Sequence, residues 1–319
     1  MTNSKKINEQ HPHNHSHDVS EMSGTRILIT VLLNLFITIA ELIGGLVAHS
    51  LSLISDSLHN FSDAISVLLT YFAIKISRKD RNIKMTYGYK RAQIIVAFIN
   101  SSVLFIISIF LVIEAIKRFK NPEEIKGTLM IIVASIGLVA NIIGVLLLEK
   151  GSHDNMNIKS SYLHLFSDAV SSVGVLLGGV AIKLWNIFWI DPLVTILIAL
   201  YIVKETWHII KKSVDILMQS SANLDYPKLK VDIEKIKDVI NIHHVHTWYG
   251  DEKTIYFEAH IVLKNILISE TQSILLEIEK ILKNDYGINH VTIQFECENV
   301  YCSKEMFHTK KTHNVRKGE

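Results

Sequence analysis

Ser57-Leu58-His59-Asn60-Phe61-Ser62-Asp63-Ala64-Ile65-Ser66 lies inside an apolar run from about 51 to 76 that is long enough to cross a bilayer as a helix. On a helix, residues four apart share a face, so His59 and Asp63 present an imidazole and a carboxylate one turn apart at membrane depth. A charge there costs at least ~2.5–3.5 kcal/mol on insertion scales, so it needs a partner and marks a functional site. The partner lies downstream, in Leu163-His164-Leu165-Phe166-Ser167-Asp168-Ala169-Val170-Ser171. Aligned from Leu58 and Leu163, both segments read L-H-x-F-S-D-A-(I/V)-S, identical at seven of nine positions. A single H-x-x-x-D pair is accounted for by a hydrogen bond to a neighbouring helix. Its duplication in two apolar runs is not. His59, Asp63, His164 and Asp168 make a two-nitrogen, two-oxygen set suited to tetrahedral Zn²⁺.

The chain has 319 residues, is 49% hydrophobic and has a mean hydropathy of +0.27. The apolar residues cluster in long runs, which implies membrane spans rather than one large soluble core. A net charge of +2 leaves no footprint for nucleic acid. The two cysteines, Cys297 and Cys302, are too few for a disulfide framework and read as reduced cytosolic thiols. No secretory leader is read before the first span.

Residues 1–25 form a polar tail in which His11, His13, His15 and His17 alternate with other residues. Such a tract cannot build a core; it is either a loose metal collector or a solvated tail. Six apolar runs follow, at about 26–48, 51–76, 93–116, 128–148, 160–184 and 188–210. Asn34, Asn100 and Asn141 within them read as interhelical hydrogen-bonding groups, and Glu41 and Glu114 as interfacial residues near span ends. Gly44-Gly45 and Gly174-x-x-x-Gly178-Gly179 predict close helix approach.

Basic residues crowd the loop 77–92 (Arg78, Lys79, Arg81, Lys84, Lys90, Arg91) and follow the last span (Lys211, Lys212). The positive-inside rule then places both termini, and the loops 77–92 and 149–159, in the cytosol. Loop 117–127 (Lys117, Arg118, Lys120, Lys126) conflicts mildly, offset in part by Glu123 and Glu124. Spans 2 and 5 run in opposite directions in this topology, so the two motifs can face each other across a pseudo-twofold axis, as in transporters built from inverted repeats.

After Ser213 the pattern is that of a soluble domain. A helix is predicted over 225–237, strands over 239–248 and 253–264, a helix over 269–285 and a strand over 288–296. The fold class is therefore an all-α six-helix membrane bundle with a C-terminal cytosolic α-β-β-α-β domain of ferredoxin-like type. The domains are read as a tail 1–25, a membrane unit 26–212, a cytosolic metal-binding and dimerisation unit 213–297, and a polar tail 298–319. His243, His244, His246, His260, His290, Glu296, Cys297 and Cys302 are possible cytosolic ligands. On a regular strand His244 and His246 share one face, and His243 shares the other with Val245.

The paired H-x-x-x-D motifs, the six spans, Glu114-Ala115-Ile116-Lys117-Arg118-Phe119-Lys120-Asn121-Pro122-Glu123-Glu124, Tyr87-Gly88-Tyr89-Lys90-Arg91-Ala92 and the α-β-β-α-β domain together resemble the cation diffusion facilitator family. The likeness covers about residues 26–297 and is greatest to its zinc-transporting branch, including bacterial cobalt–zinc–cadmium resistance exporters. It implies a homodimer in the cell membrane that exports divalent metal in exchange for protons. Carried over residue by residue, it implies a transport site on His59, Asp63, His164 and Asp168 and a cytosolic Zn²⁺ site on His243, His260, His290 and Glu296. It also implies an ion pair between Arg91 and Asp215 at the membrane–cytosol junction of the dimer. The zinc is substrate and, at the cytosolic site, regulatory ligand. A site that some members carry in the span 2–3 loop would fall on Asn82, Met85 and Tyr89, which are poor ligands. The resemblance further implies that spans 1, 2, 4 and 5 hold the site while spans 3 and 6 serve as scaffold.

Two other functions compete. A membrane metalloenzyme would keep three ligands and an open water position, often with H-E-x-x-H, which is missing here. A metal sensor would use the tail and the soluble domain and leave the intramembrane tetrad without a role.

Overall fold

The computed structural model describes residues 24–152, 156–298 and 306–307. Six long helices come first: α1 (Gly24–Ala48), α2 (Leu51–Ser77), α3 (Arg91–Lys120), α4 (Gly127–Ser152), α5 (Met156–Trp185) and α6 (Ile190–Leu217). Among the described residues, four segments have the length and apolarity of a membrane span: 91–120, 127–146, 162–185 and 190–217. In α1 the described apolar stretch is shorter, over 37–48. α2 falls short because one of its faces is polar. Ser52, Asp56, His59, Asp63 and Ser66 recur along it at three- and four-residue spacing.

The expected loop 149–159 is largely helix, since α4 runs to Ser152 and α5 begins at Met156. Hydropathy marks where the apolar run ends, and a helix with satisfied backbone bonds continues past that point.

Helices of this part are inside-out relative to a soluble protein. α3 exposes Ile95, Ile99, Val103, Ile106, Phe110 and Ile113 and buries Ser101, Leu104, Ser108, Leu111 and Ala115. Small and polar residues inside let helices approach and hydrogen-bond, while the apolar stripe faces outward. α4 packs on α5, α3 on α6, and α1 on both α2 and α4. Gly44 and Gly45 do allow a close approach. A Cβ at Gly44 would lie 2.5 Å from Val133 Cγ2 of α4, and one at Gly45 3.1 Å from the Ile54 backbone nitrogen of α2. Gly179 lies similarly against Met130 and Ile131, but Gly174 has no heavy atom of another group within 4 Å of where its Cβ would be. The close approach is thus made at Gly179 and not by the GxxxG pair: a Cβ at Gly178 would meet Met130 only at an ordinary 3.6 Å.

The C-terminal part is α7 (Tyr226–Glu234), β1 (Val239–Tyr249), β2 (Ile255–Leu263), α8 (Ile268–Tyr286) and β3 (His290–Cys297), the order read from the sequence. β1 and β2 pair antiparallel, β2 and β3 parallel. A parallel pair needs a crossover, and α8 supplies it. Gly287, at φ +65°, caps α8 in the left-handed conformation and turns the chain into β3. Leu229, Ile233, Ile242, Phe257, Ile261, Ile278 and Leu282 form the core between helices and sheet.

Candidate metal-transport site

α2 and α5 bring the four motif residues together. His59 Nε2 lies 3.5 Å from Asp63 Oδ2 and 3.8 Å from Asp168 Oδ1. His164 Nε2 lies 3.2 Å from the same Asp63 oxygen and 3.5 Å from Asp168 Oδ2. Two contacts run within a helix and two cross between helices, so each carboxylate faces both imidazoles. The His59 and His164 rings stand edge-to-face, 6.0 Å apart. The Asp168 side chain is 8% exposed and that of His164 47%, so access to the set is from the His164 side.

Neighbouring helices brace each motif through its serine. Asn100 of α3 donates to Ser62 Oγ at 3.4 Å and also to Ser66 Oγ. Ser167, the equivalent residue of the second motif, donates to Tyr201 of α6 at 3.3 Å. Thus α3 is bonded to α2 and α6 to α5 beside the two motifs. Asn141 of α4 donates to Ser172 Oγ of α5 at 3.3 Å, an interhelical bond as read from the sequence. The side chain of Asn34 lies outside the described residues.

Three acidic residues missed or misread in the sequence lie inside the bundle. Glu41, expected at an interface, is 2% exposed and accepts from Asn60 at 3.3 Å. The correction follows from a neighbour: Gly137 of α4 leaves room for its carboxylate. Asp56, also buried, accepts from Ser171 at 2.8 Å and Ser172 at 3.4 Å, joining α2 to α5 just beyond the tetrad. Asp191 is buried at the start of α6. The signal that finds Asp56 and Asp191 is a carboxylate inside an apolar run but outside the repeated motif. Glu114, by contrast, is half-exposed and pairs with Lys117 and Arg118.

A second cluster lies in the sheet. His243 Nε2 is 3.2 Å from Glu296 Oε2, and His260 Nδ1 is 2.8 Å from Glu296 Oε1. One ligand atom from each of the three lies within 4.8 Å of the others. Two imidazoles around one carboxylate on three adjacent strands are a donor set of the kind that Zn²⁺ takes. His243 sits opposite His260, but β1 then carries one extra residue before His246 pairs with Glu258. At this bulge His244 adopts φ +51°. Its ring stacks on His260 at 4.6 Å and meets His246 at 4.8 Å. Strict alternation, which put His243 and His244 on opposite faces, therefore fails here: both approach His260.

His290 is not part of the cluster. It pairs with Tyr256, at the other end of β3 from Glu296, and six residues of strand span roughly 20 Å. Its ring packs on Tyr256 at 5.0 Å and Tyr87 at 6.5 Å. Arg91 and Asp215 form no ion pair with each other within one chain. Asn82 accepts from the Lys84 and Met85 amides and donates to Tyr89, so this trio builds the α2–α3 loop. Cys297 is a free, exposed thiol; Cys302 and the histidines of the N-terminal tail lie outside the described residues.

The long apolar helices, two of which bring the His–Asp set together, followed by a small α/β unit, define an integral membrane protein. The chain belongs to the cation efflux, or cation diffusion facilitator, family, whose members are transporters and not enzymes. Residues 27–218 match the family's transmembrane domain and residues 222–298 its cytoplasmic domain. The chain is 36% identical to the cadmium, cobalt and zinc/H⁺-K⁺ antiporter of Bacillus subtilis over 290 residues, 90% of this chain and 92% of that protein. It is 33% identical to zinc transporter ZitB of Escherichia coli over 291 residues, 90% and 91% of the two chains. It is also 32% identical to the metal cation efflux system protein CzcD of Cupriavidus metallidurans over 283 residues, 88% and 89% of the two.

Proposed function

We propose that this protein is a secondary transporter that exports Zn²⁺, with Co²⁺ and Cd²⁺ as further substrates, from the cytosol in exchange for protons. The observation that carries this reading is the set of crossed contacts in which each of Asp63 and Asp168 faces both His59 and His164. These four residues are the transport site. The names of the relatives, which carry zinc, cadmium and cobalt, support the choice of metal.

The coupling follows from the ligands. Metal binding requires neutral imidazoles and ionised carboxylates, so protons and Zn²⁺ compete for the same lone pairs. Imidazoles ordinarily titrate near ~6.5, within reach of a physiological gradient. Facing the cytosol, the site releases protons and takes metal; facing outward, it does the reverse. No separate proton channel is needed.

All six long helices span the membrane in this reading, and both termini lie in the cytosol of a cell-membrane homodimer. The membrane unit is 26–212, the cytosolic unit 213–297, and Arg91 pairs with Asp215 across the dimer. The basic loop 117–127, which conflicts mildly with this topology, is offset in part by ion pairs. Arg118 pairs with Glu123 at 3.2 Å and Lys117 with Glu114 at 3.2 Å. His243, His260 and Glu296 hold a regulatory Zn²⁺ that ties the three strands together.

Purified protein in proteoliposomes tests the reading. An imposed pH gradient should drive Zn²⁺ uptake, Zn²⁺ should in turn drive proton movement, and collapsing the gradient should stop both. Uptake indifferent to the gradient would overturn the exchange mechanism.

A further inference from the structure

Asp191 is fully buried at the first turn of α6, yet its carboxylate serves α2. It accepts from Ser50 Oγ at 2.6 Å, the Leu51 amide at 2.8 Å, the Ser52 amide at 3.2 Å and Ser52 Oγ at 2.5 Å. The first amides of a helix have no partner within it and carry its partial positive charge. Among the helix's first amides, the side chain of Ser50, the N-cap of α2, accepts from Leu53. Asp191 takes the two amides that Ser50 leaves, so α2 is capped jointly by its own serine and by another helix.

The packing along α2 is uneven in the same sense. Ser50, Leu51, Ser52, Leu53, Ser55, Asp56 and Ser57 are all buried, whereas Leu68, Tyr71, Phe72 and Ile76 are exposed. The capped end is buried, whereas the far half turns an apolar face outward. His59 lies eight residues from Leu51, ~12 Å along the helix. A tilt of only ~10° at the cap therefore moves His59 by ~2 Å at that lever length, ten times the ~0.2 Å tolerance of a metal–ligand distance.

We propose that Asp191 is a positioning residue for transport: by capping α2 from α6 it fixes the outer pivot about which the helix presenting His59 and Asp63 swings. It touches none of the four ligands and acts through α2. The inference rests on the transport reading, but its test separates the two.

Asp191→Asn keeps the shape while turning an amide donor toward donors. In full-length protein, amide hydrogen exchange at Leu51–Leu53 should accelerate at least tenfold, a result independent of any cargo. In proteoliposomes given Zn²⁺ alone, kcat per folded dimer should fall at least tenfold while KM stays within about twofold of wild type. The four residues remain joined by their crossed contacts between α2 and α5; what is lost is the defined swing. A purely structural role would lower folded yield and leave kcat per folded dimer unchanged. Ser52→Ala, which removes one donor and no charge, should shift exchange and kcat in the same direction by a smaller factor. That variant decides the matter where Asp191→Asn does not fold. Wild-type kcat in the decisive variant, or unchanged exchange at 51–53, overturns the proposal. A wild-type protein that does not carry Zn²⁺ overturns the transport reading instead, and the exchange measurement still decides the cap.

Discussion

Each aspartate of the tetrad does the work of two contacts, and this sets what its removal does. Asp63 Oδ2 is the near oxygen for both imidazoles, at 3.5 and 3.2 Å. In the proposed transport site, Asp63→Ala or Asp168→Ala removes one ligand and one of the two charges that would balance the cation. Loss even of a partner behind a ligand costs 10–100-fold in affinity or activity, so direct loss should cost ~100-fold or more in Zn²⁺ transport. The dimer should remain intact by size-exclusion chromatography, and wild-type rates in either folded variant would remove that residue from the site. His59→Asp is a subtler change. It should retain transport but raise the Cd²⁺-to-Zn²⁺ uptake ratio, because an oxygen replaces a nitrogen and geometric tolerance grows. An unaltered ratio would remove His59 from the selectivity argument.

At the scale of elements, packing of α1 on α4 rests on a missing methyl group. A Cβ at Gly44 would meet buried, β-branched Val133, whose χ1 has little freedom to turn aside. Gly44→Ala should destabilise the protein by ~1–3 kcal/mol through overpacking. Gly174→Ala, which faces open space, should instead stabilise by up to ~1 kcal/mol from helix propensity alone. Thermal unfolding of the two variants in one detergent is the comparison, and equal shifts would refute it. The sequence carried no sign of this difference, since both glycines sit in small-residue motifs and only the angle at which the helices meet separates them. The tetrad was legible because its repeat is covalent information: the same letters at the same spacing twice. The α-β-β-α-β order was legible from periodicity. The burial of Glu41, the cap from Asp191 and the bulge at His244 were not, because each depends on a partner more than a dozen residues away. His290 was misplaced for a related reason. Residue type marked it as a ligand, while strand register put it with two tyrosines.

Across the whole molecule, that misplaced histidine belongs to a joint between the two parts. Tyr87 of the α2–α3 loop packs on Tyr256 of β2 at 5.3 Å as well as on His290. Lys90 pairs with Asp251 of the β1–β2 hairpin at 3.1 Å and donates to Thr254 at 3.2 Å. Burial pushes the Asp251 carboxyl up. The hydrogen bonds from Lys253, Thr254 and Lys90 outweigh it, so its value lies below the usual carboxylate range. A lowered folded value means that the joint is fully stabilised above ~3.9, the unfolded value, and weakens as pH falls through the lower one. Fluorescence of Trp248, which stacks on Tyr256, should show a transition below that value in wild type that is missing in Asp251→Asn. The joint and the metal cluster sit at opposite ends of β3, and substitutions should separate them. Full-length protein titrated with Zn²⁺ by calorimetry should lose one bound ion per chain in His260→Ala and none in His290→Ala. Amide exchange in β1 and β2 should slow with Zn²⁺ in wild type and His290→Ala but not in His260→Ala. At a hundredfold excess over Kd the protection should amount to ~2.7 kcal/mol. Transport should persist in His260→Ala with a raised KM, because the cytosolic ion proposed above would tie strands together away from the tetrad. Equal stoichiometry in all three proteins would show that His243, His260 and Glu296 are a packed ion-pair cluster and hold no metal.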